Sequence, residues 1–112
     1  RLLRRLCEKC RVSYEPLEEE LETIEMYSLD KPIYRKNDKG CNTCNGRGYK
    51  GRAGLYELLI PSPELNELVQ ASKSDDEIRK QAYAEGMSSL QNEGFRFIEN
   101  GVTSIEELKR IL

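Results

Sequence analysis

Cys7-Glu8-Lys9-Cys10 and Cys41-Asn42-Thr43-Cys44-Asn45-Gly46-Arg47-Gly48-Tyr49 decide how this chain folds. All four cysteines lie in these two stretches, each pair with a two-residue gap that lets both sulfurs reach one metal ion. Two such pairs complete a tetrahedral four-thiolate zinc site with Zn–S distances of about 2.3 Å. Cys7, Cys10, Cys41 and Cys44 are therefore the candidate metal ligands. Redox pairs, an iron–sulfur cluster and structural disulfides compete for the same residues. A redox pair needs an exposed low-pKa thiol at a strand-to-helix junction, and disulfides belong to oxidising compartments, for which no secretion signal is visible. Four cysteines close the coordination sphere and leave no position for water, so zinc held here is structural.

Between the pairs lie the 30 residues 11–40, more than a compact zinc ribbon needs, so the insertion must hold structure of its own. Leu17, Leu21 and Ile24 recur at helical spacing, predicting an acidic amphipathic helix over about 16–27, opened by Pro16. Its glutamates crowd the first turn, where the helix dipole favours them, and form a solvated face or a partner contact. Ile33-Tyr34-Arg35 reads as a short extended segment. Gly40, Gly46, Gly48, Gly51 and Gly54 surround the second pair, as tight metal knuckles require.

Outside the pairs the two ends differ. Leu2, Leu3 and Leu6 look like the last turns of a helix, and Leu55 to Ile60 is the strand expected after the second pair. Glu57 within it is either a functional carboxylate or, as the apolar setting favours, a residue that faces solvent or pairs with a nearby arginine such as Arg52. From Pro61 the chain reads as short capped helices. Ser62-Pro63-Glu64 starts one, and capping boxes at Ser74/Glu77, Ser88/Gln91 and Thr103/Glu106 start three more, with stops near Gly86 and Gly101. The expected fold is α+β: a tetracysteine zinc-binding subdomain over 1–52, a strand over 53–60, and a helical subdomain over 61–112.

Composition narrows the chemistry. With no histidine, His-based acid–base catalysis and His-containing metal sites are excluded. The formal charge is −2, and four thiolates on one Zn²⁺ make it about two units more negative. Such a domain is a poor general binder of nucleic-acid phosphate. No apolar stretch approaches the ~20 residues of a membrane span. A lobe this rich in glutamate and glycine buries little apolar area, so metal-binding energy becomes folding energy.

The order RLLRRLC, CEKC, YEP, IYR, GCNTC, GYKGRAGLYELL and EGMSSLQNEGFRFIENGVTSIEEL resembles the C-terminal region of the type II secretion and type IV pilus assembly ATPases, over nearly the whole chain. Those are hexameric motors, and the resemblance implies that Cys7, Cys10, Cys41 and Cys44 hold a structural zinc in a subdomain of the ATPase half. It implies that the Leu55–Ile60 strand returns to a RecA-like core, where ATP and Mg²⁺ would bind. It also implies contact with other copies and with an inner-membrane platform protein, at the cytoplasmic side and without membrane insertion. The related retraction ATPases lack the cysteine pairs. GRGYKGRAG is not GxxxxGK[ST], since Gly48 is not followed by Lys-Ser/Thr, so this chain is read as a piece of a longer protein that does not itself bind ATP. Two rival readings stand beside it. CNTCNGRG fits the CxxCxGxG repeat of Hsp40 chaperones, although CEKCRVSY lacks the glycines. A nucleic-acid-binding zinc ribbon draws on Arg1, Arg4, Arg5, Lys9 and Arg11.

Overall fold

The computed structural model describes residues 1–24 and 32–112. Over these residues the protein is α+β, as expected: β1 (Leu2–Leu6), β2 (Val12–Tyr14), α1 (Glu18–Thr23), β3 (Ile33–Arg35), β4 (Tyr49–Gly54), α2 (Pro63–Gln70), α3 (Asp75–Ala84), α4 (Leu90–Glu99) and α5 (Ile105–Ile111). Strands β1 and β4 form one antiparallel ladder and β2 and β3 another. Contacts divide the chain into two units, residues 1–55 with 91–112, and residues 56–90. Residues 91–112 group with residues 1–55 because α5 packs on β1 and α1.

Residues 2–6 are a strand, not the end of a helix. A bulge falls between Arg4 and Leu6, shifting the register from Arg4↔Arg52 to Leu6↔Tyr49. The extra residue lies on β4, where Lys50 and Gly51 stand opposite Arg5; Leu3 and Leu6, three apart on β1, are both buried, a spacing that mimics a helix. The strand expected at Leu55–Ile60 is displaced as well. The glycine-rich Tyr49–Gly54 takes that role because it lies opposite β1. Leu55 is buried, but Tyr56 (68% exposed), Leu58 (65%) and Ile60 (72%) face outward with no ladder among the described residues.

The insertion is organised as expected in kind. The Ile33-Tyr34-Arg35 segment pairs with Val12–Tyr14, Val12 opposite Arg35. Helix α1 starts at Glu18 rather than Pro16, with the Glu20 carboxylate accepting from the Leu17 N–H at 3.4 Å and from the Tyr14 hydroxyl at 3.0 Å. The expected helix end at 25–27 lies outside the described residues.

Caps begin α2 and α3 where the sequence puts them. Ser62 Oγ accepts from the Leu65 N–H at 3.1 Å, and Ser74 Oγ from the Glu77 N–H at 3.3 Å. These helices pack on each other in the 56–90 unit, with Leu65 and Ala82 buried. The other two starts shift. Helix α4 begins at Leu90, whose N–H donates to Glu57, and the Gln91 side chain donates instead to the Ile24 carbonyl. Glu57 also accepts from the Tyr83 hydroxyl at 3.3 Å, so it is held by its own unit rather than by Arg52. For α5 the cap is Ser104, one residue after Thr103, and the acid at the third helical position is Glu107.

Candidate metal centre

Two knuckles bring the cysteines together. In the first, the N–H groups of Cys10 and Arg11 donate to the Cys7 carbonyl at 3.4 and 3.0 Å. In the second, Gly46 donates to the Cys41 carbonyl at 3.0 Å and Arg47 to the Cys44 carbonyl at 3.3 Å. A bond from the Cys7 N–H to the Gly48 carbonyl, 3.0 Å, joins one knuckle to the other. The second is the tighter. Gly40 and Gly48 have φ of +62° and +77°, and a Cβ on Gly40 would lie 2.3 Å from the Gly46 carbonyl carbon.

All four expected ligands meet: their Sγ atoms lie within 4.8 Å of one another, with Cys7 and Cys44 buried. Cys7–Cys41 is 3.7 Å, and Cys10–Cys44 and Cys41–Cys44 are each 3.8 Å. A regular tetrahedron with Zn–S bonds of about 2.3 Å has S···S edges of about 3.8 Å. Disulfide sulfurs would sit about 2.0 Å apart. The spacing fits a four-thiolate metal cage, and Cys7, Cys10, Cys41 and Cys44 are the residues that can hold the ion.

Electrostatics point the same way. Burial pushes the Cys44 thiol up, but the N–H groups of Cys41 and Gly48 (3.3 and 3.2 Å from its sulfur) and the thiols of Cys41 and Cys10 outweigh it, bringing it to about 6. The Cys44 backbone N–H draws Cys41 down against burial. Cys10 is pushed up to about 12, first by burial and then by hydrogen bonding to the other three thiols. Without a cation this crowd of sulfurs ionises only in part; a divalent ion at its centre reverses that balance.

One cluster near the site was not singled out in the sequence. Glu107 is fully buried yet charged. It accepts from the Arg4 N–H at 2.6 Å, from Arg4 Nε and Nη2 at 3.2 and 3.1 Å, and from Arg110 Nε and Nη2 at 2.7 and 3.0 Å. Burial alone would raise its carboxyl, but the two guanidiniums and the Arg4 N–H bring it down to about 2. Thr103 donates to the Arg4 carbonyl, the Leu6 N–H donates to the Val102 carbonyl, and Arg4 lies 4.2 Å over the Tyr49 ring. The strand running into Cys7 is thereby fastened to α5. In the sequence only the i, i+3 pair of Glu107 and Arg110 is visible; Arg4 comes from the far end of the chain.

The family model of type II/IV secretion system proteins matches residues 1–110. Among curated relatives, the type IV pilus assembly ATPase PilB of Thermus thermophilus is 35% identical over 96% of this chain and 12% of its own length. The type II secretion system protein HxcR of Pseudomonas aeruginosa is 34% identical over 99% of this chain and 20% of its own length. The type II secretion system ATPase E of Vibrio cholerae is 32% identical over 99% of this chain and 22% of its own length. The chain thus spans between 12% and 22% of the length of these relatives.

Proposed function

The chain belongs to the type II/IV secretion system protein family, and on that premise we propose that it is the zinc-stapled part of a hexameric ATPase driving protein secretion or pilus assembly. The observation that carries the metal reading is the convergence of the four sulfurs, three pairs of them 3.7–3.8 Å apart. Bound there, Zn²⁺ supplies a cross-link and no open coordination position. The residues of this chain do the rest. The knuckle N–H groups hold Cys44 ready as a thiolate, and the Arg4–Glu107–Arg110 cluster fixes β1 so that Cys7 is presented to the second pair.

ATP and Mg²⁺ fall to the part of the longer relatives that this chain does not match. The exposed Tyr56, Leu58 and Ile60 support that reading, since they are apolar side chains in want of a sheet or core. In the assembled machine the protein would meet further copies of itself and an inner-membrane platform protein, on the cytoplasmic side. No described helix is long and apolar enough to cross a membrane.

Two measurements test this. Mass spectrometry of the native protein should find one zinc per chain, lost on Cys7→Ser or Cys44→Ser; a folded, metal-free wild type would defeat the metal reading. The gene should encode a phosphate-binding loop ahead of residue 1 in the same reading frame, and its absence would defeat the motor reading.

A further inference from the structure

The four cysteines are the only thiols of the chain, and the structure sets them apart by access. Cys7 and Cys44 are buried, whereas Cys10 and Cys41 keep part of their surface in solvent. Each accessible cysteine has an exposed lysine close by in sequence: Lys9 precedes Cys10, and Lys39 stands two positions before Cys41. Partly exposed thiolates in electropositive surroundings are the ones that oxidants reach. With no cysteine elsewhere, any thiol oxidation of this chain falls on the cluster.

Distance decides which sulfurs can then join. Cys41 meets Cys7 at 3.7 Å and Cys10 meets Cys44 at 3.8 Å, so each accessible sulfur faces a buried one on the other knuckle. Each of these pairs spans 34 positions of the chain. The β2–β3 ladder, with Val12 opposite Arg35, already closes most of that loop, and the bond from the Cys7 N–H to the Gly48 carbonyl closes more. Cys41 and Cys44 also lie 3.8 Å apart, but pairing them leaves Cys7 and Cys10 for each other and uses none of this closure.

We propose that Cys10 and Cys41 form a peroxide-reactive site: each, once oxidised, bonds to the buried cysteine facing it on the other knuckle, releasing the zinc while keeping the lobe closed. The Cys10 thiolate sulfur attacks one peroxide oxygen. The O–O bond breaks, and its electron pair leaves with the second oxygen, which takes a proton and departs as water, or as an alcohol from an organic peroxide. Cys10 now carries a sulfenic acid. The Cys44 thiolate attacks that sulfur, the S–S bond forms, and the S–O bond breaks to release hydroxide, which a second proton turns to water. Each of the two sulfurs has lost one electron, and one peroxide has been reduced. A second peroxide does the same through Cys41 and Cys7. All four thiolates are then consumed, and with them the charge that held the divalent ion. Two cross-knuckle bonds of about 2.0 Å replace the ion as the staple, and thiol reductant with zinc restores the starting state. This inference deepens the zinc-staple reading and rests on it.

The test treats zinc-loaded protein with hydrogen peroxide and follows the metal with a chromogenic chelator. Zinc content is measured before treatment: a wild type without zinc defeats the staple reading and this proposal with it, whereas a zinc-loaded protein that fails the steps below defeats this proposal alone. Two peroxides should be consumed per zinc released, and dimedone, which traps sulfenic acid, should label Cys10 and Cys41 but not Cys7 or Cys44. Trypsin cuts after Lys9, between Cys7 and Cys10, so cross-knuckle bonds hold the Leu6–Lys9 and Cys10–Arg11 peptides to the Gly40–Arg47 peptide. Fragmentation between Cys41 and Cys44 should assign Cys7 to Cys41 and Cys10 to Cys44. Amide-exchange protection of β2 and β3 should survive in the oxidised, zinc-free protein and fall at least ~tenfold when reductant and chelator are added together. Bridges within each knuckle, labelling of the buried cysteines, or sulfinic acid without a disulfide would overturn the proposal. So would zinc and all four thiols left intact by millimolar peroxide.

Discussion

At the level of single residues the fold depends on a few positions that tolerate one side chain. Gly40 combines a positive φ with backbone contact: an added Cβ would sit 2.3 and 2.4 Å from Gly46 backbone carbons, which no rotamer change relieves. Gly40→Ala should therefore displace the second knuckle and weaken zinc binding at least ~tenfold in a competition titration. Gly86→Ala is the control, since its φ of +102° is strained but open space surrounds it. It should cost about 1 kcal/mol and leave zinc affinity unchanged. Glu107 is the second such position. Glu107→Ala leaves the Arg4 N–H without its acceptor, while the half-exposed guanidiniums of Arg4 and Arg110 turn to solvent, and should cost about 1–3 kcal/mol in denaturant unfolding. Because the carboxyl lies at about 2, below its ordinary value of 4.5, its stabilisation is complete above the ordinary value and is lost as pH falls toward 2. The stability gap between wild type and Glu107→Gln should thus be flat from pH 7 to 5 and shrink below. Comparing the two proteins cancels the acid-driven loss of thiolate ligands that they share.

Among the elements, β1 and the α4–α5 crossing show how packing overrides local pattern. Leu3 and Leu6 of β1 are both buried, a spacing that reads as helix until the partner strand is seen. Gly94 sits where α4 meets α5: a Cβ there would come within 2.5 and 2.9 Å of the two terminal carbons of the fully buried Leu108. Replacing a helical glycine by alanine normally gains about 1 kcal/mol. Here overpacking, about 1–3 kcal/mol, should reverse the sign, so Gly94→Ala is expected to lower the Tm. Pairing Gly94→Ala with Leu108→Ala should recover part of that loss if crowding is its cause.

For the molecule as a whole, the four clustered cysteines close a loop that is already half closed. The β2–β3 ladder sets Val12 beside Arg35, so only short connections remain to Cys10 and Cys41, and the ordering cost of the insertion is met mostly by its own hairpin. Removing zinc with a chelator under reducing conditions should abolish amide-exchange protection in β1 to β4. The protection of α2 and α3, which pack on each other in the 56–90 unit, should persist. The sequence by itself determined which four cysteines cluster, the α+β class, the family and the caps of α2 and α3, because these depend on residue type and on spacings of a few positions. Tertiary structure alone decided that residues 2–6 are a strand, that Tyr49–Gly54 rather than Leu55–Ile60 is its partner, and that α5 starts from Ser104. It also decided that Arg4 reaches Glu107, more than a hundred residues away. Ladders and buried ion pairs join groups distant along the chain, and no local periodicity records which of them will meet.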